Sequence, residues 1–302
     1  MKHIFVINPK AGKTDRVEEI KKELKAFDGK IDYEVYVTKK RGDAKDFVHD
    51  YLTNYDKKET YRFYACGGDG TLHDVVNGAV GFENAQVACY ASGSGNYFVK
   101  NFGNTERFKD LKTLIDGKPH KIDLLKVDDR YCINIFNYGF DGEVTFAMLR
   151  FKKWPCVSGP MAYNLAALTS LLFKMNQYLK VTVDDKVIFD GKGLLVAVAN
   201  GHTYGGGFHC APEAKVDDGL IDVCLVKKVS RFKAANLIKV YKAGEHLHNE
   251  KLKNTVVYLK GKDVVVESHK PVAFAIDGEV FRKEKVIIKM IPSCLNFVVP
   301  QE

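Results

Sequence analysis

Apolar residues in the first third of the chain recur with alternating strand and helix periods. Ile4–Ile7 is a continuous apolar run, as in a strand buried on both faces, and apolar residues at helical spacing follow it from Val17 to Phe27. The same succession of a strand and a helix recurs three more times before Gly117. This pattern predicts an open sheet of parallel strands with covering helices, and ligands of such sheets bind at the carboxyl ends of the strands.

The pattern changes from about Lys121 onward, where alternating and β-branched runs predict antiparallel strands. Hairpin signals interrupt these runs at Asp184-Asp185, Asp190-Gly191 and Asp277-Gly278. Two helices are predicted, at about Pro160–Gln177 and Arg231–Gly244. The predicted fold class is therefore α/β plus all-β. It has an N-terminal α/β domain over residues 1–123 and an antiparallel β-sandwich over residues 124–287, with residues 288–302 able to return to the first domain.

Composition is that of a soluble globular protein with a positive charge. The 302 residues are 46% hydrophobic and 28% charged, and the formal net charge of +8 favours nucleotides, nucleic acids or acidic membrane surfaces as partners. The seven cysteines are scattered without a CxxC pair, which predicts reduced thiols, a cytoplasmic location and no zinc site. The longest apolar segment, Leu165–Phe173, is too short to span a bilayer, so we expect a soluble or peripheral protein.

The segment Cys66–Asp74 contains three glycines between an apolar strand and a predicted helix. We expect Thr71 to cap this helix, with Asp74 as the acid of a short capping box. Glycines that take up positive φ would let the backbone amides approach an anion, and Asp69 would need a cation beside that anion. The segment therefore predicts a nucleotide–Mg²⁺ site, while a tight turn of small residues remains the structural alternative.

Two common nucleotide-binding motifs are excluded by single positions. Gly12-Lys13-Thr14 is similar to the end of a P-loop, but the P-loop needs a glycine where Ile7 stands. The Rossmann fingerprint needs a glycine at position 73, where this chain has His73. By motif, the chain is neither a P-loop NTPase nor a dinucleotide-dependent dehydrogenase.

A series of short motifs runs along nearly the whole chain. The motifs are Asn8-Pro9-x-x-Gly12, Thr38 with Gly42-Asp43-Ala44, Gly67-Gly68-Asp69-Gly70-Thr71, Gly93-Ser94-Gly95-Asn96, Gly139-Phe140-Asp141-Gly142, Gly205-Gly206-Gly207, Ala211–Asp222 and Asp277-Gly278-Glu279. In this order they resemble the diacylglycerol kinase catalytic family, which includes bacterial soluble lipid kinases and the sphingosine and ceramide kinases. NAD kinases and phosphofructokinases share the Gly67–Thr71 motif, whereas the last two motifs select the lipid kinases.

The resemblance implies that ATP is surrounded by Asn8, Pro9, Lys10, Gly12, Thr38, Gly67, Gly68, Asp69, Gly70, Thr71 and Ser94. The chain departs from the family pattern at Gly95, an extra glycine that should loosen its loop, and at Asp74, where glutamate is usual. The resemblance also implies a Mg²⁺ ion held by the Asp218 carboxylate and the main-chain carbonyls of Lys215 and Leu220. From the residues alone, the same segment can be an ordinary turn.

The resemblance also implies a catalytic base, which removes the proton of the attacking alcohol. We expect Glu279 in this role first and Asp277 second, while the sphingosine kinases point to the position of Asp69. From the residues alone, Asp277-Gly278 is the strongest hairpin signal in the chain and can be architecture only.

The implied activity is that of an ATP- and Mg²⁺-dependent kinase acting on a lipid alcohol, with diacylglycerol as the first choice and phosphatidic acid as the product. Arg150–Trp154 interleaves basic and aromatic residues, which suits peripheral contact with an anionic membrane, although a solvated turn before a core helix also accounts for it. We expect no nucleic acid partner, because no RNA- or DNA-binding motif gathers the basic residues. A homodimer, an NAD kinase-like phosphotransferase and a catalytically silent lipid-binding regulator remain alternatives.

Overall fold

The computed structural model describes residues 1–11, 16–155 and 157–301. The chain divides into two units. The first unit contains Met1–Leu124, Val216–Asp218 and Ile291–Glu302, and the second contains Leu125–Lys215 and Gly219–Met290.

The first unit is built on a parallel sheet. Its parallel strands are β1 (Lys2–Ile7), β2 (Asp32–Val37), β3 (Tyr61–Gly67) and β4 (Ala85–Ala91), and its helices are α1 (Arg16–Leu24), α2 (Asp43–Asn54), α3 (Asp69–Ala79) and α4 (Leu111–Ile115). The next strand along the chain, β5 (Lys118–Val127), pairs antiparallel with residues 130–132. The strands are ordered β4-β3-β1-β2, and each neighbouring pair is parallel. Residues 296 and 297 add a further parallel pairing to β4. The predicted parallel α/β fold is confirmed.

Burial accounts for the continuous apolar runs of the central strands. Every residue of β3 is buried, and Ile4–Ile7 of β1 have no solvent exposure. Parallel strands covered on both faces need no polar alternation. The helices bury one stripe each, such as Ile20 and Leu24 of α1. The loops that follow β1, β3 and β4 are therefore held by a rigid sheet.

As far as the structure describes it, the second unit is a β-sandwich-like fold of antiparallel strands with three α-helices. Its elements are β6 (Arg130–Cys132), β7 (Ile135–Gly139), α5 (Phe140–Phe151), α6 (Gly159–Phe173), β8 (Gln177–Val183), β9 (Lys186–Ala199), β10 (Ile221–Lys227), α7 (Arg231–Ala243), β11 (Val256–Gly261), β12 (Asp263–Ile276) and residues 279–290 of β13 (Glu279–Val299). The long strands β9 and β12 each pair with β7 along one half and with β8 along the other. These pairings close the strands around an apolar core that includes Phe136, Val181, Val266 and Phe274.

Two of the three predicted hairpins are confirmed. Asp184-Asp185 joins β8 to β9, and Asp277-Gly278 joins β12 to β13, with all four residues at positive φ. The predicted turn at Asp190-Gly191 is wrong, because both residues lie inside β9 and continue its pairing with β8. The predicted end of the α6 helix at Gln177 is also wrong, since Asn176 takes up φ 54 and β8 begins at Gln177.

Two further predictions concern membrane-spanning helices and the state of the cysteines. Within the described part of the chain, no helix is both long and apolar enough to cross a bilayer. Cys66, Cys89, Cys132, Cys210, Cys224 and Cys294 are free thiols, as expected, and Cys156 lies outside the described residues.

Candidate active site

Three loops meet at the carboxyl ends of β1, β3 and β4. The Asn8 backbone N–H donates to the Cys66 carbonyl at 3.0 Å, and the Asn8 side-chain amide donates to the Thr71 hydroxyl at 3.1 Å. The backbone N–H groups of Ser92 and Gly93 both donate to the Gly67 carbonyl at 3.1 Å. The first, third and fourth motifs along the chain therefore form one surface, as the parallel strand order predicts.

The predicted cap at Thr71 is wrong. Helix α3 begins two residues earlier, at Asp69, with Gly68 as its N-cap residue. Thr71 therefore lies within the first turn, where its buried hydroxyl accepts the hydrogen bond from Asn8. Asp74 does not close a capping box, because its carboxylate accepts a hydrogen bond from the Gly42 backbone N–H at 3.2 Å. These two side chains tie the loops after β1 and β2 to α3.

Close packing, and not a positive φ, explains the glycines at positions 67 and 93. Gly67, Gly68 and Gly70 all have negative φ, contrary to the expectation of positive φ. A Cβ atom on Gly67 would lie 2.3 Å from the Thr71 hydroxyl oxygen, and one on Gly93 would lie 2.4 Å from the Gly68 Cα atom. Gly70 differs, because it is exposed and its Cβ atom would meet nothing within 4 Å. The open face of the loop therefore lies at Gly70.

Asp69 holds the fourth loop in place. Its Oδ1 atom accepts hydrogen bonds from the backbone N–H groups of Tyr97, at 2.7 Å, and Phe98, at 3.3 Å. A Cβ atom on Gly95 would fall 2.5 Å from the Tyr97 ring and 3.0 Å from Asp69 Oδ2. The expectation that Gly95 loosens the loop is therefore wrong, since the absence of a side chain there lets the loop pack against Asp69.

Among the described residues, two buried polar atoms beside this loop have no hydrogen-bond partner. They are the Ser92 hydroxyl oxygen and the Asn96 side-chain oxygen. Buried polar groups without partners are rare, because leaving one unpaired costs about 1–3 kcal/mol. The first N–H groups of α3, at Asp69 and Gly70, also lack acceptors within the helix and carry its positive dipole end. These amides and the Ser92 hydroxyl are donors that fit a phosphate-bearing ligand at the open face by Gly70, whereas Asn96 Oδ1 can only accept a hydrogen bond.

The remaining ATP candidates lie around the same edge of the sheet. Pro9 and Lys10 are exposed after β1, and the Lys10 backbone N–H donates to Asn8 Oδ1 at 3.0 Å. The Thr38 backbone N–H donates to the Ile7 carbonyl at 2.9 Å, and Ser94 is exposed. Gly12 lies outside the described residues.

In the second unit, Asp277 anchors the chain between β6 and β7. One carboxylate oxygen accepts the Ile133 backbone N–H at 2.8 Å, and the other accepts those of Asn134, at 3.0 Å, and Ile135, at 3.1 Å. The Cys132 thiol also donates to Asp277, and burial raises the pKa of that thiol well above its ordinary value. Both oxygens of the Asp277 carboxylate are therefore engaged by backbone donors.

Glu279 follows the turn and forms an ion pair. Its carboxylate pairs with the Arg130 guanidinium at 3.3 Å, and that guanidinium lies 4.6 Å from the centre of the Phe281 ring. An arginine side chain pairs with the Glu279 carboxylate, whereas Asp69 and Asp277 accept hydrogen bonds from backbone N–H groups.

The Mg²⁺ site predicted at Lys215, Asp218 and Leu220 would have one side-chain ligand, the Asp218 carboxylate. Asp218 and Lys215 are exposed. The adjacent Asp217 pairs with His120 at 2.8 Å. Over the described ranges, no three His, Cys, Asp or Glu side chains are grouped as a metal centre. Mg²⁺ accepts one carboxylate together with main-chain carbonyls and waters as its ligands. The Mg²⁺ site itself stays a prediction.

One ionisable pair was not assigned a role from the sequence. Asp141, in the first turn of α5, accepts a hydrogen bond from the Tyr204 hydroxyl. Burial raises the pKa of Asp141 to about 6, and burial beside this carboxyl raises the pKa of Tyr204 well above its ordinary value. The motif Gly139–Gly142 marked the position, but no local pattern shows that Tyr204, 63 residues away, approaches it.

Comparisons with known proteins agree with this organisation. The model of the diacylglycerol kinase catalytic domain matches residues 2–127, and that of the YegS C-terminal NAD kinase beta sandwich-like domain matches residues 135–299. A diacylglycerol kinase of Staphylococcus aureus (strain MRSA252) is 28% identical over 287 residues, which are 91% of this chain and 85% of that protein. A diacylglycerol kinase of Staphylococcus carnosus (strain TM300) is 28% identical over 250 residues, which are 81% and 77%.

Solved structures show the fold at lower identity. A diacylglycerol kinase structure from Bacillus anthracis str. Sterne has a TM-score of 0.71 and 21% identity, covering 98% of this chain and 96% of that one. An NAD kinase from Archaeoglobus fulgidus in complex with ATP has a TM-score of 0.53 and 11% identity, covering 100% and 94%. The two domain matches cover most of the sequence in the expected order. The chain belongs to the diacylglycerol kinase catalytic-domain family and is a kinase.

Proposed function

We propose that this kinase transfers the γ-phosphoryl group of ATP to the hydroxyl of a lipid alcohol, with diacylglycerol as the substrate and phosphatidic acid as the product. The observation that carries the proposal is the open face at Gly70, where the N-terminal amides of α3 have beside them the Ser92 hydroxyl, a donor that is paired with no described residue. The names of the curated relatives support the choice of diacylglycerol.

The chain's own residues supply binding and orientation at the nucleotide. The amides at the start of α3 would hold phosphate oxygens, and Asn8 and Asp69 fix the geometry through Thr71 and Tyr97. Mg²⁺ would offset the negative charge that the phosphates and nearby carboxylates bring together. Asp218 is the side chain that we assign to that ion.

For the alcohol, we assign the base to Glu279. An attacking hydroxyl must lose its proton as it bonds to phosphorus, and a carboxylate that can approach it serves this purpose. The extensive backbone contacts of Asp69 and Asp277 support structural roles for both. Because the lipid substrate lies in a membrane, we also propose that the protein is cytoplasmic and makes peripheral contact with an anionic bilayer.

The test is a screen with radiolabelled ATP and Mg²⁺ over detergent-dispersed lipid alcohols, with NAD as an additional acceptor. We expect labelled phosphatidic acid from diacylglycerol. Label on NAD instead would identify an NAD kinase-like activity. Absence of label on every acceptor, with ATP still bound, would favour the silent lipid-binding regulator.

A further inference from the structure

The strands β9, β8, β12 and β13 lie side by side and turn one face, here called the outer face, away from the core of the second unit. On this face, Val265 of β12 is paired in register with Ile287 of β13 and with Thr182 of β8. Thr182 is paired in turn with Val187 of β9. Neighbouring residues of the same strands point the other way, into the apolar core: Val181, Val183, Val264, Val266, Val286 and Ile288. The four outward residues therefore form one row across four strands.

This row is mainly apolar and open to solvent. Ile287 is 42% exposed and Val187 is 54% exposed, while Val265 and Thr182 are partly exposed. Removing such side chains from water is favourable in proportion to the apolar area that is covered. The row is therefore a candidate contact surface.

A charged row lies beside the apolar row on the outer face. Glu267 of β12 is paired in register with Lys285 of β13 and with Lys180 of β8. Lys180 is paired with Asp190 of β9, so that the charges alternate in sign across the four strands. Within the chain, Glu267 contacts Lys285 at 3.2 Å and Lys180 at 4.0 Å. Because the row has no net charge, it does not favour a polyanion or an anionic bilayer as its partner.

The charged row is complementary to its own reverse. When a second copy of the chain is placed face to face about a two-fold axis parallel to the strands, each row meets itself in the opposite order. Lys285 then faces Asp190 of the second copy, and Glu267 faces its Lys180. The apolar row meets the apolar row. Sheets that pack face to face keep their strands nearly aligned, and two-fold contacts are the commonest in homo-oligomers.

The carboxylates on the other side of the apolar row have partners within the chain. Asp263 pairs with Lys289 at 3.6 Å. The Asp184 carboxylate accepts the backbone N–H groups of Lys262, at 2.9 Å, and Asp263, at 3.0 Å. This side of the outer face therefore brings no unpaired carboxylate into a contact between two copies.

We propose that the outer face of β9, β8, β12 and β13 is the interface of a symmetric dimer of this chain. Three rows on four strands cover roughly 20 × 20 Å, or about 400 Å² on each copy, from the usual strand and residue spacings. Stable interfaces bury about 800 Å² per partner, so the dimer is weak and dissociates on dilution in the micromolar range or above. The interface does not depend on the proposed lipid-kinase function.

Sedimentation equilibrium of the full chain over a dilution series tests the dimer. We expect a monomer–dimer equilibrium at low salt that shifts towards the monomer at high salt, because salt screens the contacts between lysines and carboxylates. A monomer at every concentration up to the millimolar range would overturn the proposal.

Charge reversal tests the arrangement of the two copies. Lys180→Glu and Glu267→Lys should each weaken the dimer at least tenfold, because like charges then face each other across the interface. An equimolar mixture of the two variants should dimerise again, since each like-charged contact becomes an opposite-charged contact between them. A mixture that stays monomeric would overturn the arrangement. Lys253→Glu is the control, because Lys253 forms an exposed pair with Glu250 outside these four strands.

A substitution in the apolar row tests the same interface without changing charge. Ile287→Ser should weaken the dimer by about tenfold, because a two-fold contact loses two apolar side chains. Ile238→Ser is the matched control, since Ile238 is 41% exposed but lies on α7. Circular dichroism identifies the folded variants. Equal dimerisation of folded Ile287→Ser and Ile238→Ser would place the contact on another surface and overturn the proposal.

Discussion

The backbone of Gly93 packs directly on that of Gly68, so that a Cβ atom on Gly93 would lie 2.4 Å from the Gly68 Cα atom. No flexible side chain is available to move away, because the contact is between two main chains. We therefore expect Gly93→Ala to separate the loops after β3 and β4 and to lower the free energy of unfolding by about 1–3 kcal/mol. Urea denaturation of the variant and the parent measures this difference.

Gly70→Ala is the matched change on the open face of the same loop. Its Cβ atom meets nothing within 4 Å, so the fold should be unaffected or slightly more stable, since alanine favours a helix over glycine. If phosphate binds at the α3 N-terminus, the added methyl group should weaken ATP binding at least tenfold. Isothermal titration with ATP-Mg²⁺ checks this. Parental affinity in Gly70→Ala would place the nucleotide elsewhere.

Local patterns predicted the sheet of the first unit because its signals are contiguous in sequence. Ile4–Ile7 is a buried strand, and the loops after β1, β3 and β4 meet as the strand order requires. The role of Asp69 was not predictable in the same way. Its partner Tyr97 lies 28 residues further along the chain, and only the folded sheet brings the two together.

The Asp277 hairpin illustrates the same limit more strongly. The turn itself was predicted from Asp-Gly, because both residues favour positive φ. The three amides that Asp277 accepts lie at least 142 residues earlier, at Ile133–Ile135. The sequence Asp277-Gly278 would look the same whether Asp277 is a turn residue or a catalytic carboxylate. The long-range hydrogen bonds of Asp277 support the structural role.

Glu279→Gln should show whether the Glu279 carboxylate is catalytic or structural. Glutamine keeps the volume and removes the charge just after the turn, so the fold should persist. If Glu279 is the base, kcat should fall by about 10²–10⁴-fold while ATP affinity changes little, because proton removal occurs only in the transition state. Steady-state kinetics with saturating diacylglycerol measures the effect.

Arg130→Gln is the control for this change, because it breaks the ion pair with Glu279 and leaves the carboxylate. Turnover reduced equally in both variants would assign Glu279 to the ion pair instead. Near-normal turnover in Glu279→Gln, with loss in Asp69→Asn, would move the base to the loop after β3. Asp277→Asn cannot decide between these roles, because an asparagine amide would face the Ile133 N–H donor and destabilise the turn.

Asp218→Ala tests the predicted Mg²⁺ ligand. The side chain is exposed, so its removal should change the free energy of unfolding by less than about 0.5 kcal/mol. If Asp218 holds the ion, more Mg²⁺ should be needed for half-maximal turnover, and Mn²⁺ should restore part of the rate. The neighbouring Asp217→Ala, which removes a contact with His120, is the control. Identical Mg²⁺ titrations for parent and Asp218→Ala would make the segment an ordinary turn.

Asp141 should make the stability of the protein depend on pH in an identifiable window. Burial raises the pKa of its carboxyl from 3.8 to about 6, so the folded state holds this proton where the unfolded state has lost it. Stability from this group is therefore greatest below pH 3.8 and declines as the pH rises to about 6, by roughly 3 kcal/mol at most. Asp141→Asn should lack this decline, and chemical denaturation between pH 4 and 8 measures it. Asp190→Asn is the matched control, since Asp190 also accepts a tyrosine hydroxyl, that of Tyr178, but at an exposed site. The same pH dependence in both variants would show that Asp141 titrates as an ordinary carboxyl.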